Sequence, residues 1–502
     1  MDTVSSRDHR TILAGTGQNI VGLAVFVIAS FGMNILIART FGKASDNAAL
    51  GLITLATQLA FVAGAATRFG MDMAAVRRVA VEVGKGEPGR VRAVVRIAAT
   101  IALVASAIVA LVVYVLAPEI ASFLNGPASA YRAAAVGLIF VAISLVYLGG
   151  SRGLKIMRHT LYAYWIGQPV SWIAFSLVGW AVIGKTVSVT VLAYSLSWVV
   201  ATVLAWWSWL RETAAFPRMP AEPNEARELF RYGAPRAPAA LLSQGLFWTD
   251  YFVLSHYVHG AQLSVYAAAV RVSQALVLFL TAVSYMFSPF VADLYERGER
   301  DRLDDLFKSI TRWTLAGTIP LLLLFLVAPA EVLKVFGGSY TAGTAWLRVL
   351  LIGQIVNVSV GAAGFILIMV GRTWWDLVVY TSSFLIDLTV AVILVPHLGP
   401  MGAAIAQATT LVFSNALRLY LVWHFVKIQP YDRDYARLAI PAAVGLVVMT
   451  AVHSALEGPK WGVTLLGTAA IGGIAYAAAL VMVGLPPAEK RAVLGAVRRR
   501  TA

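Results

Sequence analysis

The amino-acid sequence predicts an all-α polytopic membrane protein with about fourteen transmembrane helices. Three observations carry this. Of 502 residues, 59% are hydrophobic and 13% charged, with a mean hydropathy of +0.76, whereas average soluble domains carry roughly 25% charged residues. The apolar residues come in runs of the ~20-residue length that crosses a hydrocarbon core. No polar block is long enough for a soluble domain, the longest polar segments lying near Arg211 to Arg236 and Ala292 to Arg312.

Taken in order, the candidate spans are 14–38, 48–68, 95–117, 133–150, 164–183, 187–210, 237–258, 264–291, 313–333, 346–370, 376–395, 401–425, 436–454 and 462–484. The N-terminal MDTVSSRDHR is short and basic. The apolar run after it is too long for a signal-peptide core and lacks a small-residue cleavage site, so it reads as the first span. Helix-breaking and charged clusters such as GKASDN, PEIASFLNG, HLGPMG and EGPKWG separate the spans.

Lysine and arginine set the orientation. One set of loops holds Arg77, Arg78, Lys85, Arg90, Arg92 and Arg96, then Arg152, Lys155 and Arg158, then the stretches 211–236 and 297–312, Lys427, Arg433, Arg437 and the tail from Lys490 to Arg500. The other set holds little beyond Arg39, Lys43, Arg132, Lys185, Lys334 and Lys460. By the positive-inside rule both termini are expected to be cytoplasmic, and an even number of spans agrees. The net charge of +15 is scattered over these short loops, so it marks membrane topology and not nucleic acid, with contact between the basic tail and anionic lipid the lesser alternative. Cysteine is absent, which excludes disulfides and thiolate metal sites.

Gly179 to Thr186 reads GWAVIGKT, formally a phosphate-binding loop. Such a loop needs a strand before it. Here it ends a span, so ATP is not expected and no cofactor is. HExxH, GxSxG and paired Cys/His motifs are missing. His256 and His259 fall at an outer loop, where they read as polar loop ends. Seven of the 14 tryptophans lie in the two spans from 164 to 210. Most read as packing or interfacial belt, with mid-span Trp172 and Trp198 the best exceptions for stacking on sugar.

The intramembrane polar set is more telling: Asn34, Gln58, Gln244, Asp250, Arg271, Gln274, Asp387, Gln407 and Arg418. An ionisable group there costs roughly 2.5–3.5 kcal/mol or more unless it faces protein or a water-filled cavity. Such residues point to a transporter. Arg271 and Gln274, three apart, share a helix face, and an arginine fork suits phosphate. A structural Arg271–Asp250 pair is the alternative. Arg68 and Asp72 at a span end read as an ion pair. A faint internal repeat aligns 31–79 with 247–297, matching Asn34 to Asp250 and Thr57 to Arg271; repeats of this kind place transporter sites at their interface.

The stretch from Leu229 to Gln274 resembles the seventh and eighth spans of the Wzx-like polysaccharide flippases, of the multidrug/oligosaccharidyl-lipid/polysaccharide exporter superfamily. The likeness rests on Asp250, the run Tyr266 to Arg271 and Pro289. ADLYERGERDRLDDLFKSITRW, ILVPHLGPMGAAIAQ, and IARTFG followed by LGLITLATQ are similar to further family segments, together spanning about residues 12–425. At Asp387 the family more often carries Asn.

The resemblance implies two pseudo-symmetric six-helix lobes, 1–233 and 234–430, around a cationic cavity, with two further helices and a basic tail in 431–502. It implies a non-enzymatic flippase in the inner membrane that moves a lipid-linked oligosaccharide by alternating access. Arg271, with Arg418 and Arg39, would attract the diphosphate, and Asp250 would orient Arg271. Gln58, Gln244, Gln274 and Asn34 would line the site, and Asp387 or Asp250 would couple an ion. Partners would be the lipid-linked substrate, membrane lipids, and a polymerase with a chain-length regulator. The rivals are a lipid II flippase, a drug or metabolite exporter of the same superfamily, and, from another class, a membrane glycosyltransferase or polysaccharide polymerase. The short outer loops, the longest from Pro118 to Arg132, argue against the last.

Overall fold

The computed structural model describes residues 25–41, 48–233, 236–281, 297–456 and 460–486, with isolated positions between 282 and 296. The start of the first expected span, the end of the eighth with Pro289, and the basic C-terminal tail lie outside the described residues. Every regular element described is helical. Ten of these helices are long and apolar enough to cross a membrane. Contacts divide the chain into two compact units, Met1–Ala267 and Ala268–Ala502.

The first unit contains α1 (Val25–Phe41), α2 (Ala49–Thr67), α3 (Met71–Gly84), α4 (Val91–Val115), α5 (Ala117–Leu124), α6 (Ala128–Gly153), α7 (Arg158–Val182), α8 (Val187–Glu212), α9 (Glu225–Gly233), α10 (Arg236–Tyr257) and the start of α11 (Ala261–Gln274). Helix α6 is its hub, packing on α2, α3, α4 and α8. Its small residues allow this, as membrane helices associate by close backbone approach. A Cβ at Gly137 would lie 2.5 Å from Ser195 Oγ. Helix α4 shows the reversed polarity of a lipid-facing element. Ala98, Ala102 and Val95 are buried, while Val104, Ile108, Leu111 and Val115 are exposed.

Helix α7 is not uniform. Residues Leu161–Gly167 form a π-helical segment before Pro169. On the side expected to be cytoplasmic, Arg78 of α3 donates to both oxygens of Glu225 on α9, at 2.8 and 2.9 Å. That hydrogen bonding pushes the Arg78 pKa upward and ties the connector between α8 and α10 to α3. Arg68 and Asp72 pair at 3.7 Å.

The second unit contains the end of α11, then α12 (Arg300–Val327), α13 (Pro329–Lys334), α14 (Thr344–Val360), α15 (Ala363–Met369), α16 (Thr373–Leu398), α17 (Pro400–Val426), α18 (Ala439–Ala455) and α19 (Trp461–Ala479). Helix α17 packs against α14 and α16. A core of Leu303, Phe307, Ile366, Leu367, Val379, Leu421 and Val422 closes one end. The hairpin α18–α19 docks on α12 through Ile319, Leu323, Met449 and Tyr476, with the Tyr476 hydroxyl donating to Ala316 O at 2.8 Å. Its other face, with Val447, Leu466 and Ile474, is exposed and apolar. The contact division falls inside α11, later than the expected 233/234 boundary, because α10 and the start of α11 pack on α2.

Candidate functional site

Four of the fourteen expected spans are absent from the ten that meet the length and apolarity of a membrane crossing: α1, α10, α11 and α17. Helices α1 and α11 are short as described. Helices α10 and α17, of 22 and 27 residues, are long enough but too polar. These same four carry Asn34, Arg39, Gln244, Asp250, Arg271, Gln274, Gln407 and Arg418. Of the two that are described at full length, α10 carries Gln244 and Asp250, and α17 carries Gln407 and Arg418.

In the first unit Asp250 is fully buried. The Tyr266 hydroxyl donates to its Oδ2. The Tyr251 ring stacks on Tyr266 with centroids 6.1 Å apart, and the Tyr251 hydroxyl donates to Gly51 O at 2.8 Å. The Gly51 N–H, near the N-terminus of α2 where helical donors lack partners, donates to Ser264 Oγ at 3.0 Å. A Cβ at Gly51 would sit 2.9 Å from the backbone of Leu263 and Ser264. Helices α2, α10 and α11 therefore meet at a packed junction, with Asp250 inside it.

Asn34 is buried and spends its amide on Ser30 O, at 2.7 Å, within α1. Arg39 is exposed at the end of that helix. Gln58 and Gln244 are half-buried, and neither amide makes a hydrogen bond among the described residues. Trp172 and Trp198 are buried. Trp172 donates to Thr190 O at 3.2 Å, which makes it a packing residue. The His256 ring stacks on Phe123 at 4.4 Å, with Nδ1 3.0 Å from Phe123 O.

Along α11, Leu263 to Val270, Val272 and Ser273 are buried. Arg271 and Gln274 are half-exposed, and so interrupt the enclosure of the helix in its last turn.

The second unit holds an arrangement that the sequence reading did not assemble. On α16, Asp376, Tyr380, Ser383 and Asp387 follow the spacing i, i+4, i+7, i+11, one face of a helix. On α17, Gln407, Thr410, Ser414 and Arg418 follow i, i+3, i+7, i+11. The two helices pack antiparallel across Gly399. Thr410 Oγ1 donates to Asp387 Oδ1 at 3.2 Å, and the Arg418 guanidinium lies over the Tyr380 ring at 5.2 Å. Ser383, Asp387, Gln407, Thr410 and Ser414 are buried, Arg418 half-buried. Asn415 extends the seam to Asn357 of α14 at 3.1 Å. Gly364 leaves room for the arginine: a Cβ there would be 3.2 Å from Arg418 Nε. The helical spacing of polar residues on α16 was the available signal, obscured because Tyr380 and Ser383 look unremarkable singly.

A cleft of about 230 Å³ lies between α3 and α9. Its arginines are engaged, Arg78 by Glu225 and Arg77 over the Tyr232 ring at 4.7 Å.

Comparison with known proteins places this geometry. A Haloferax volcanii protein named as a probable low-salt glycan biosynthesis flippase, Agl15, is 22% identical over 423 residues, covering 82% of this chain and 84% of its own. Among solved structures, the lipid II flippase MurJ in an inward closed conformation gives a TM-score of 0.71 at 14% identity, over 93% of this chain and 98% of that one. An inward-facing multidrug resistance MATE transporter gives 0.62 at 14% identity, over 82% and 94%. A Pyrococcus furiosus transporter of the same superfamily gives 0.59 at 16% identity, over 83% and 95%. At these identities the structural likeness is one of fold. Residues 45–349 match the family described as polysaccharide biosynthesis protein, and with more than half its length so matched the chain belongs to that family.

Proposed function

We propose that the protein is a flippase that moves polyprenyl-diphosphate-linked oligosaccharide units from the cytoplasmic to the outer leaflet of the inner membrane, by alternating access, for cell-surface polysaccharide assembly. The observation that carries this reading is the last turn of α11, where Arg271 and Gln274 stand half-exposed after the buried run Leu263 to Val270. A diphosphate accepts bidentately from a guanidinium fork, and amides suit sugar hydroxyls. Family membership and the flippase name of the Haloferax relative support the same reading.

In this proposal Arg418 and Arg39 add positive potential, and Gln58, Gln244 and Gln274 bind sugar. Asn34 shapes α1, and Asp250 positions α11 through Tyr266. Asp387, in its buried seam with Thr410, is the candidate for ion coupling, with Asp250 second. The lobes 1–233 and 234–430 rock, the pair of helices in 431–502 rides with the second, and no ATP is hydrolysed. A polymerase and a chain-length regulator receive the product.

Arg271→Ala should abolish glycan export with normal amounts of membrane-inserted protein, and Arg271→Lys should keep part of it. Asp250→Asn should be milder than Asp250→Ala. A double Arg271→Ala/Asp250→Ala change that restored both protein and export would overturn substrate binding in favour of a structural pair. The topology is checked by single cysteines in this cysteine-free chain. Ser122 and Ser339 should label from outside, Ser6 and Ser309 only after permeabilisation.

A further inference from the structure

The first unit contains an aromatic assembly that the diphosphate reading does not use. Phe26 of α1 meets Trp165 edge-on at 5.1 Å and stacks with Tyr164 at 6.0 Å. Tyr164 and Trp165, both in the π-helical segment of α7, are 4.8 Å apart and nearly perpendicular. Behind them lies Trp198 of α8, 5.8 Å from Tyr164 and 6.2 Å from Phe61 of α2. Four rings (Phe26, Phe61, Tyr164 and Trp165) are half-buried, and Trp198 is 2% exposed. Neighbouring rings prefer these offset and edge-to-face arrangements, which hold the faces rigidly.

Lipid alone does not account for this wall. The exposed, lipid-type residues of α7 include Tyr162, Val170, Leu177, Val178 and Val182, and Tyr164 lies on the other side of the helix from Tyr162. π-Helical turns are rare and concentrate at functional sites; this one turns two successive aromatic residues towards Phe26. Polar groups stand among the rings. Gln58 is one turn from Phe61 on α2, with its amide unbonded among the described residues. The Trp198 indole N–H is buried and has no acceptor among them. An acyl chain offers nothing to the Gln58 amide. A pyranose offers an apolar C–H face to the rings and hydroxyls to the Gln58 amide.

We propose that Phe26, Phe61, Tyr164 and Trp165 form a platform on which a pyranose ring of the transported glycan stacks, with Gln58 hydrogen-bonding its edge. The proposal rests on the flippase reading and adds a sugar subsite to it. Stacking selects for the ring face and not for one hydroxyl pattern, so the platform recognises that a sugar is attached.

The test uses purified full-length protein and lipid-linked glycan extracted from cells lacking this chain, which accumulate whatever it moves. The same lipid with its glycan removed is the control. Binding is read by native mass spectrometry in detergent. Trp165→Ala and Tyr164→Ala should each weaken the glycan-bearing lipid about tenfold, roughly the effect of 1.4 kcal/mol. Affinity for the sugar-free diphosphate lipid should stay within about twofold, and Trp165→Phe should restore most of the glycan binding. Equal losses for both lipids, or none for either, overturn the platform while leaving the flippase reading standing. Wild-type protein that binds neither lipid overturns both.

Discussion

In the unit ending at Ala267 the buried carboxylate of Asp250 accepts from one side-chain hydroxyl, that of Tyr266, among stacked rings. In the unit beginning at Ala268 the buried carboxylate of Asp387 accepts from Thr410 across one pair of helices, α16 and α17, on the same faces where Arg418 lies over Tyr380. Both solve the problem of a polar group in an apolar helix, and they differ in setting. Asp250 sits inside a junction of three helices held by stacked rings. Asp387 sits between two helices only. If the proposed transport cycle is coupled to an ion, a carboxylate between two helices can change its bonding with less repacking than one inside a three-helix junction.

Hydroxyl deletion in the two units tests the contrast most strongly. Tyr266→Phe removes the Asp250 donor and leaves the packing volume, so it should cost about 1–3 kcal/mol, the penalty for stranding a buried acceptor. Thr410→Val removes the hydroxyl that donates to Asp387 and should cost about 0.5–1.5 kcal/mol, the net worth of an ordinary hydrogen bond. Thermal melts of the purified variants in detergent measure both. Equal losses would mean that the two carboxylates are held alike.

Adding a methyl group to a glycine in each unit sharpens the comparison with a smaller effect. At Gly51 the new Cβ would meet backbone of α11 at 2.9 Å, and backbone cannot give way cheaply. Gly51→Ala should cost about 1–2 kcal/mol, within the range for overpacking. At Gly364 the new Cβ would meet the flexible Arg418 side chain at 3.2 Å. Gly364→Ala should therefore cost under about 0.5 kcal/mol, the usual size for a tolerated substitution. Its clearer mark should be on export, since Arg418 must shift off the Tyr380 ring. A Gly364→Ala melt as low as that of Gly51→Ala would show the second unit to be as rigid as the first.

Much of the fold was legible because hydropathy needs no partner: a run of apolar residues is a membrane helix whatever it packs on. The polar candidates were legible for the same reason, each being costly in its span. Their pairing was not. Tyr266 serves Asp250 from another helix, 16 positions away, and Thr410 serves Asp387 across a turn. Tyrosine and threonine are common in apolar helices, so nothing marks them until the helices are placed. The platform was half-legible. The sequence marked Trp172 and Trp198 for sugar because they are mid-span, but depth in the span is not exposure. Both are buried, and their less central neighbours Tyr164 and Trp165 present the ring faces.

The smallest expected effect concerns the segment that looks most like a nucleotide site. Gly179 to Thr186 matches a phosphate-binding loop letter for letter, and the structure uses its glycines and threonine otherwise. Gly179 and its neighbours to Val182 are the last turn of α7, whose carbonyl at Gly179 accepts from the Ile183 and Gly184 amides. Gly184, at φ +128, breaks the helix. The Thr186 hydroxyl caps α8 by accepting from Val189 N at 3.2 Å. A phosphate cradle needs a strand leading into a loop of free, converging N–H groups, whereas here a helix leads into a short turn and the amides are already committed. Lys185 is left as a charge at a helix connection, on the side expected to face outward. Lys185→Ala should thus leave glycan export within about twofold of wild type, surface substitutions being mostly neutral. Thr186→Ala should cost about 1 kcal/mol in stability through the lost cap without a specific loss of export. Export abolished by Lys185→Ala at normal protein levels would mean that this turn binds phosphate after all, and that the energy source of the cycle lies in the chain itself.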